Sequence, residues 1–256
     1  MQVKTDLHTH SVASGHAYST VAEVAHAASA KGLELIAITD HGPACPGAPH
    51  EWHFMNLKVV PSVLDGVHIL KGVEANLLPD TENGLDLDDE TLAKLDFVAG
   101  GFHPHTGYDE ANRDELTNAM VRAVRHPLVD MVTHPGNPSF PLDADAVVEA
   151  AVDSGVIIEL NNGSFESSMS RSRDTSGEME FARAAAKLRA KVAITSDAHF
   201  YVHVGRFDNA LRVAEEVGIA EENVVSRDAA TVLEFLTERR ERPRLDMGGV
   251  WESGEV

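Results

Sequence analysis

The 256-residue chain holds a single cysteine, Cys45, with three tyrosines and two tryptophans, and aromatic residues reach only 5%. One cysteine forms no internal disulfide and builds no thiolate zinc site. So few aromatics leave little from which to make a surface that stacks bases. Cations are short as well: 21 Lys and Arg stand against 41 Asp and Glu, a formal net charge of -20. Such a surface lacks the clustered positive charge that a long nucleic acid or an anionic membrane requires. A small anion is not excluded, provided that something inside the protein supplies positive charge. No apolar run approaches the roughly 20 residues of a membrane helix. The opening residues, Met1 to Asp6, carry no apolar signal region. The expectation is a cytoplasmic protein with no membrane and no extended nucleic acid among its partners.

Histidine, by contrast, is abundant, with 14 residues. An acidic chain rich in imidazole is suited to holding metal ions. Short apolar runs at residues 3–7, 35–39, 67–73, 97–102, 130–133, 156–160 and 192–195 read as strands buried on both faces. Amphipathic stretches lie between them. One opens at Thr20-Val21-Ala22-Glu23, a capping box, and stops at Gly32. Seven strands in βα alternation predict an α/β fold with a parallel sheet, either a barrel or an open doubly wound sheet. One domain is expected over residues 1–240, followed by a loosely packed tail over 241–256.

Polar residues follow the strands in a consistent way. The strand ends read Leu7-His8-Thr9-His10, Thr39-Asp40-His41-Gly42, Val73-Glu74-Ala75-Asn76, Phe102-His103-Pro104, Thr133-His134-Pro135, Glu159-Leu160-Asn161 and Ser196-Asp197-Ala198-His199. In a parallel sheet or barrel these ends converge on one mouth. Two positions apart on a strand, His8 and His10 leave the same face and can reach one ion. Asp197 and His199 repeat that spacing, and His16 lies on the loop before the first helix. A lone histidine after a strand is ordinarily a satisfied surface residue. Seven histidines with Glu74 and Asp197 in equivalent places are poor material for plain barrel packing, and they point to a metal site. His26 and His126, in helical patterns, read as surface residues, and His68 starts a strand. His50 and His53, in His50-Glu51-Trp52-His53-Phe54, read as substrate contacts and leaving-group acids on a lid segment. Arg171 and Arg173 read as phosphate-binding residues or, alternatively, as a solvated pair. Glu159, Asn161 and Asp40 are placed to orient ligand imidazoles.

These motifs, from Asp6 to about Leu236, resemble the PHP (polymerase and histidinol phosphatase) family. The stretches His16-Ala17-Tyr18-Ser19-Thr20, Ala48 to Phe54 and Thr133 to Pro138 are similar to its YcdX-type phosphatases. The resemblance implies a distorted (β/α)7 barrel, TIM-like, with a trinuclear centre of three divalent ions. Zinc is the first expectation, and manganese or iron suits the same donors. It implies one ion held by His8, His10, Glu74 and Asp197. Glu74 would bridge to a second held by His103 and His134, and His16, His41 and His199 would hold the third. It favours Arg171 for phosphate and suggests a homotrimer. The expected activity is hydrolysis of a small phosphate monoester by a metal-held hydroxide, with Glu74, Asp197 and His134 as catalytic residues. Alternatives are a phosphodiesterase or nuclease acting on nucleotides or 3' ends, an amidohydrolase-type C–N hydrolase and a non-catalytic module. No ligand position is lost, which counts against the last.

Overall fold

A computed structural model describes residues 1–166 and 174–240. Arg171, Arg173 and the tail 241–256 lie outside the described residues. The strands are β1 (Thr5–Thr9), β2 (Leu35–Ile38), β3 (Val63–Leu64), β4 (Val67–Asn76), β5 (Phe97–Gly101), β6 (Met131–Val132), β7 (Ile157–Asn161) and β8 (Val192–Thr195). The helices are α1 (Val21–Ala30), α2 (Glu51–Asn56), α3 (Asp89–Leu92), α4 (Arg113–Val124), α5 (Ala144–Ser154), α6 (Asn162–Phe165), α7 (Ser176–Leu188), α8 (Asp208–Val217) and α9 (Ala229–Arg240). Seven strands run parallel in the order β1-β2-β4-β5-β6-β7-β8, and β3 adds an antiparallel ribbon to β4. The alternation of strand and helix therefore closes into a nearly complete TIM-like barrel rather than an open sheet. Thr20 and Glu23 form the capping box of α1 as the sequence suggests.

Side chains alternate across each strand, so every strand feeds two cores. Leu35, Ala37, Leu70, Phe97, Met131 and Ile157 point into the barrel. Ile36, Ile38, Val98, Val132 and Ile158 point out to the helices. The floor of the barrel is filled by α9, whose Val232, Phe235 and Leu236 pack among the inward residues. Arg239 locks that helix by donating to the carbonyls of Val129, Ser154 and His126.

The barrel seam lies between β1 and β8. At the mouth it is closed by a bridge between Thr9 and Ala198, with His10 N–H donating to Ala198 O at 2.9 Å. Lower down, Ser226 is wedged into the gap. Its Oγ accepts from Ile194 N at 2.9 Å, and its carbonyl accepts from Lys4 N at 3.3 Å. Between these points Asp6 reaches across. It accepts Ser196 N–H and O–H at 3.1 and 2.6 Å and Gly205 N–H at 2.9 Å. Burial pushes the Asp6 carboxyl up against the effect of those bonds.

One irregularity decides where the first ligands point. Asp6 pairs with Ile36, but Thr9 pairs with Ile38, so β1 spends three steps where β2 spends two. The extra residue is a β-bulge. Before it, Leu7 faces the barrel core. After it the alternation has slipped, so Thr9 shares the outward face with Ile38, while His8 and His10 face inward. The spacing of two explains why the pair shares a face, but the bulge explains which face.

Candidate metal centre

The remaining ligands lie on a strand or within four residues of its C-terminal end, except His16, which lies on the loop before α1. Glu74 lies on β4, in the inward series of Leu70. His41 follows β2 and bridges to Glu74. His103 and His134 each lie two residues beyond their strands, β5 and β6, as Asp197 does beyond β8. His134 and Asp197 adopt left-handed backbone, with φ of 30° and 53°. For residues other than glycine this costs about 1–3 kcal/mol each, and such strain concentrates at functional sites. Gly136, just after His134, sits so tightly on the start of α7 that an added Cβ would lie 2.2 Å from Glu178 N.

The donors form a closed cluster in which Glu74 is the hub. Its Oε2 lies 3.3 Å from His8 Nε2, 3.5 Å from His10 Nε2 and 2.8 Å from His41 Nδ1. Its Oε1 lies 2.9 Å from His134 Nε2 and 3.4 Å from His103 Nε2. Asp197 Oδ1 is 3.5 Å from His8 Nε2, 3.3 Å from His10 Nε2 and 3.4 Å from His199 Nδ1. The two Nε2 atoms of His8 and His10 are 3.0 Å apart. Farther out, His16 Nε2 is 3.2 Å from both His41 Nε2 and His199 Nε2. Glu74, His8 and His10 are wholly buried, whereas His16 is exposed at the mouth.

These distances fit a shared cation. Two ligands about 2.0–2.1 Å from one tetrahedral ion stand about 3.3 Å apart. The five distances among His8, His10, Glu74 and Asp197 range from 3.0 to 3.5 Å. Glu159 Oε1 takes the Nδ1 proton of His8 at 2.6 Å, and Asp197 O takes that of His199 at 3.0 Å. With those protons spent, each ring turns a bare Nε2 into the cluster. Lone pairs facing one another at such distances need positive charge between them. Glu74 Oε2 is buried without a hydrogen bond, as is His41 Nδ1. Among the described residues, three overlapping groups could hold an ion: His8, His10 and Asp197; His10, His41 and His199; and His41, Glu74 and His103.

The electrostatics divide the site in two. Burial acts to lower His8, but Glu74, Glu159 and Asp197 outweigh it and raise its pKa well above the usual value. Burial, followed by the neighbouring His199 and His41, lowers His10 well below that value and leaves it a neutral ligand. Burial acts to raise Glu74, but His8, His103 and His41 hold it well below the ordinary carboxylate range. The carboxylates around His8 thus call for a cation, and His10 offers an uncharged imidazole to one.

Around the donors stands a ring of supports. Glu159 also accepts Thr195 O–H at 2.6 Å and the main-chain N–H of His134. Asn161 donates to Asp197 Oδ2 at 3.0 Å. Asp40 accepts from Ser11 N at 2.7 Å and from Ser14 Oγ at 2.6 Å. Its carboxyl is held low, because His53, His10 and the serine hydroxyls outweigh its burial. Asp86, half-buried, accepts from Asn76 N and Ala44 N, each at 3.0 Å, and so ties the loop after His41 to the end of β4.

The two lid histidines part company. His53 Nε2 approaches Asp40 Oδ2 to 3.4 Å, at the margin of the cluster. His50 is exposed, caps α2 and accepts Trp52 N–H at 3.2 Å. His26 is exposed as expected, and His126 is half-buried. Its side chain is 10% exposed and lies 3.2 Å from Asp89. Sequence reasoning missed Asp6, Ser14 and Asp86; their types and spacing carry no signal that separates them from ordinary loop and strand residues.

Barrel and donor cluster together define a metal-binding (β/α) barrel with its site at the C-terminal ends of the strands. Residues 6–163 match the PHP domain family, and the chain belongs to that family. It is 46% identical over 244 residues to a protein named Probable phosphatase from Acetivibrio thermocellus, covering 95% of this chain and 99% of that one. A Probable phosphatase of Shewanella sp. strain ANA-3 is 41% identical over 247 residues, 96% of each chain. Among solved structures, the histidinol phosphate phosphatase of Lactococcus lactis, complexed with zinc, L-histidinol and phosphate, superposes with a TM-score of 0.61. That match is 14% identical and covers 86% of this chain and 95% of that one, a likeness of fold.

Proposed function

We propose that this PHP-family phosphatase hydrolyses small phosphate monoesters with three divalent ions held by its nine-residue donor cluster. The observation that carries the proposal is the hub position of Glu74. Its two oxygens face separate groups, His8, His10 and His41 on one side and His103 and His134 on the other. His41 also belongs to a third group, with His16 and His199 farther out. Bound there, divalent ions bring the pKa of a coordinated water toward neutrality and draw charge from phosphoryl oxygens. Zinc, manganese and iron all suit this donor set.

The chain's own residues do the rest. Glu74 keeps the inner donors at fixed separation. Glu159 and Asn161 hold His8 and Asp197 in their orientations. The exposed His16 marks the side from which a phosphate group enters. His53, beside Asp40, would meet a leaving group, and the exposed His50, whose Nδ1 caps α2, would offer its other ring nitrogen to substrate. Arg171 or Arg173 would add a clamp on phosphate oxygens. The acidic exterior disfavours a long polyanion, so the substrate is a small phosphorylated molecule. Among the described residues no helix is long and apolar enough to cross a membrane. A cytoplasmic location and a homotrimer belong to this same reading.

The test is an assay of p-nitrophenyl phosphate against bis-p-nitrophenyl phosphate with zinc or manganese added, together with metal analysis of the purified protein. Metal-dependent turnover that favours the monoester is expected. No turnover of the monoester sinks the proposal, and preference for the diester replaces it with phosphodiester cleavage. Fewer than about two ions per chain overturns the trinuclear centre.

A further inference from the structure

The hydroxyl of Ser14 touches two ligand residues at once. Its Oγ lies 2.6 Å from Asp40 Oδ1, 2.9 Å from His10 Nδ1 and 3.2 Å from the main-chain N of His41. A hydroxyl has one proton to give and two lone pairs with which to accept. The carboxylate can only accept and the peptide N–H can only donate. Ser14 therefore gives its proton to Asp40 and accepts from His41, and its second lone pair receives the Nδ1 proton of His10. This fixes the tautomer of His10 and leaves its Nε2 bare, facing His8 Nε2 at 3.0 Å and Asp197 Oδ1 at 3.3 Å.

We propose that Ser14 is a positioning residue shared by the inner and outer metal positions. It sets the ring of His10 and anchors the main chain from which the His41 ring extends. The inference rests on reading the cluster as a metal centre. The loop is shaped to hold this hydroxyl still. Ser11 Oγ caps the turn at Val12–Ser14, accepting from Ala13 N at 3.2 Å, and donates to Asp40 Oδ2 at 2.7 Å. Both Asp40 oxygens thus pin the loop to the end of β2. Ser14 is wholly buried, so bulk water does not compete for its bonds. The other side of the cluster has a separate anchor, since His134 N–H is held by Glu159.

The test uses the zinc-loaded protein and two readouts. One is zinc retention against a competing chelator. The other is the Nδ1 proton of His10, followed by nitrogen-15 NMR. Ser14→Ala is expected to weaken two of the zinc positions by roughly 10- to 100-fold and leave one as in the wild type. The His10 Nδ1 proton signal is expected to shift and to exchange faster. Ser19→Ala is the control. Ser19 is an equally buried hydroxyl a few residues on, and its Oγ accepts Tyr201 N–H at 2.9 Å. That variant should match the wild type in both readouts.

Should the alanine variant fail to fold, Ser14→Thr and Ser14→Val decide, being equal in shape and different in the hydroxyl. Loss of zinc in the valine variant alone supports the proposal, and parity between the two overturns it. Wild-type retention and an unchanged His10 signal in Ser14→Ala also overturn it. A wild-type protein that binds no zinc, manganese or iron defeats the metal reading itself, a result recognisable before any variant is made.

Discussion

Glu159 Oε1 lies 2.6 Å from His8 Nδ1, and both side chains are fully buried. The same carboxylate receives Thr195 O–H and the main chain of His134, so one residue of β7 steadies donors that come from β1 and β6. Glu159→Gln keeps the shape and removes the charge. Metal affinity should fall by roughly 10- to 100-fold, with activity partly regained at high metal concentration. A metal titration of activity checks this, and an unchanged midpoint would count against it.

Glu74→Gln strikes the hub. The glutamine amide can offer one oxygen but not two, and its NH₂ group must face imidazole nitrogens. Monoester hydrolysis should drop by at least about 10²-fold. Metal analysis should show loss of the ions that share this side chain. Full metal content with full activity would show that the hub is dispensable.

Removing metal should lower thermal stability. A ligand that binds only the folded state at 1,000 times its Kd stabilises by about 4 kcal/mol. In a chain of this size each kcal/mol moves Tm by about 2–4 °C. Treatment with a chelator, followed by zinc or manganese, should therefore shift Tm down and then up by several degrees. Calorimetry of the two forms reads this directly, and identical curves would defeat it.

Gly136→Ala should disturb the site from outside. The added methyl would sit 2.2 Å from Glu178 N and 2.4 Å from Glu178 Cα, and backbone cannot swing aside as a side-chain tip does. A cost of about 1–3 kcal/mol is expected, together with reduced activity as the His134 loop shifts. Denaturant melts and steady-state kinetics on one preparation test both halves.

Much of the centre could be read from the chain, because β alternation and the parallel topology bring strand ends together whatever the details. All nine expected donors meet at one mouth. What escaped depends on local backbone. The bulge after Asp6 cannot be seen in Asp6-Leu7-His8-Thr9, since without it His8 would point to the helices. The left-handed turns at His134 and Asp197 fall on types that tolerate positive φ better than most, but neither carries a glycine signal that would mark the turn in the sequence. The capping of α2 by His50 Nδ1 could not be read from the chain either, since histidine is not among the usual cap residues. His126 looked exposed because its helix ends there, and only the fold brings Asp89 against it. The role of α9 was hidden too, since an amphipathic pattern does not say whether its face meets other helices or a barrel floor.

The placement of α9 bears on where the chain can be cut. Every expected donor precedes Ser226 and α9 in the chain, the last of them being His199. The wedge at Ser226 and the plug of Val232, Phe235 and Leu236 come only afterwards. A chain ended just after His199 would therefore carry all nine expected donors on a barrel whose floor is open. Truncation there should leave the apolar interior exposed beneath an intact set of ligands, so that metal binding and solubility part company.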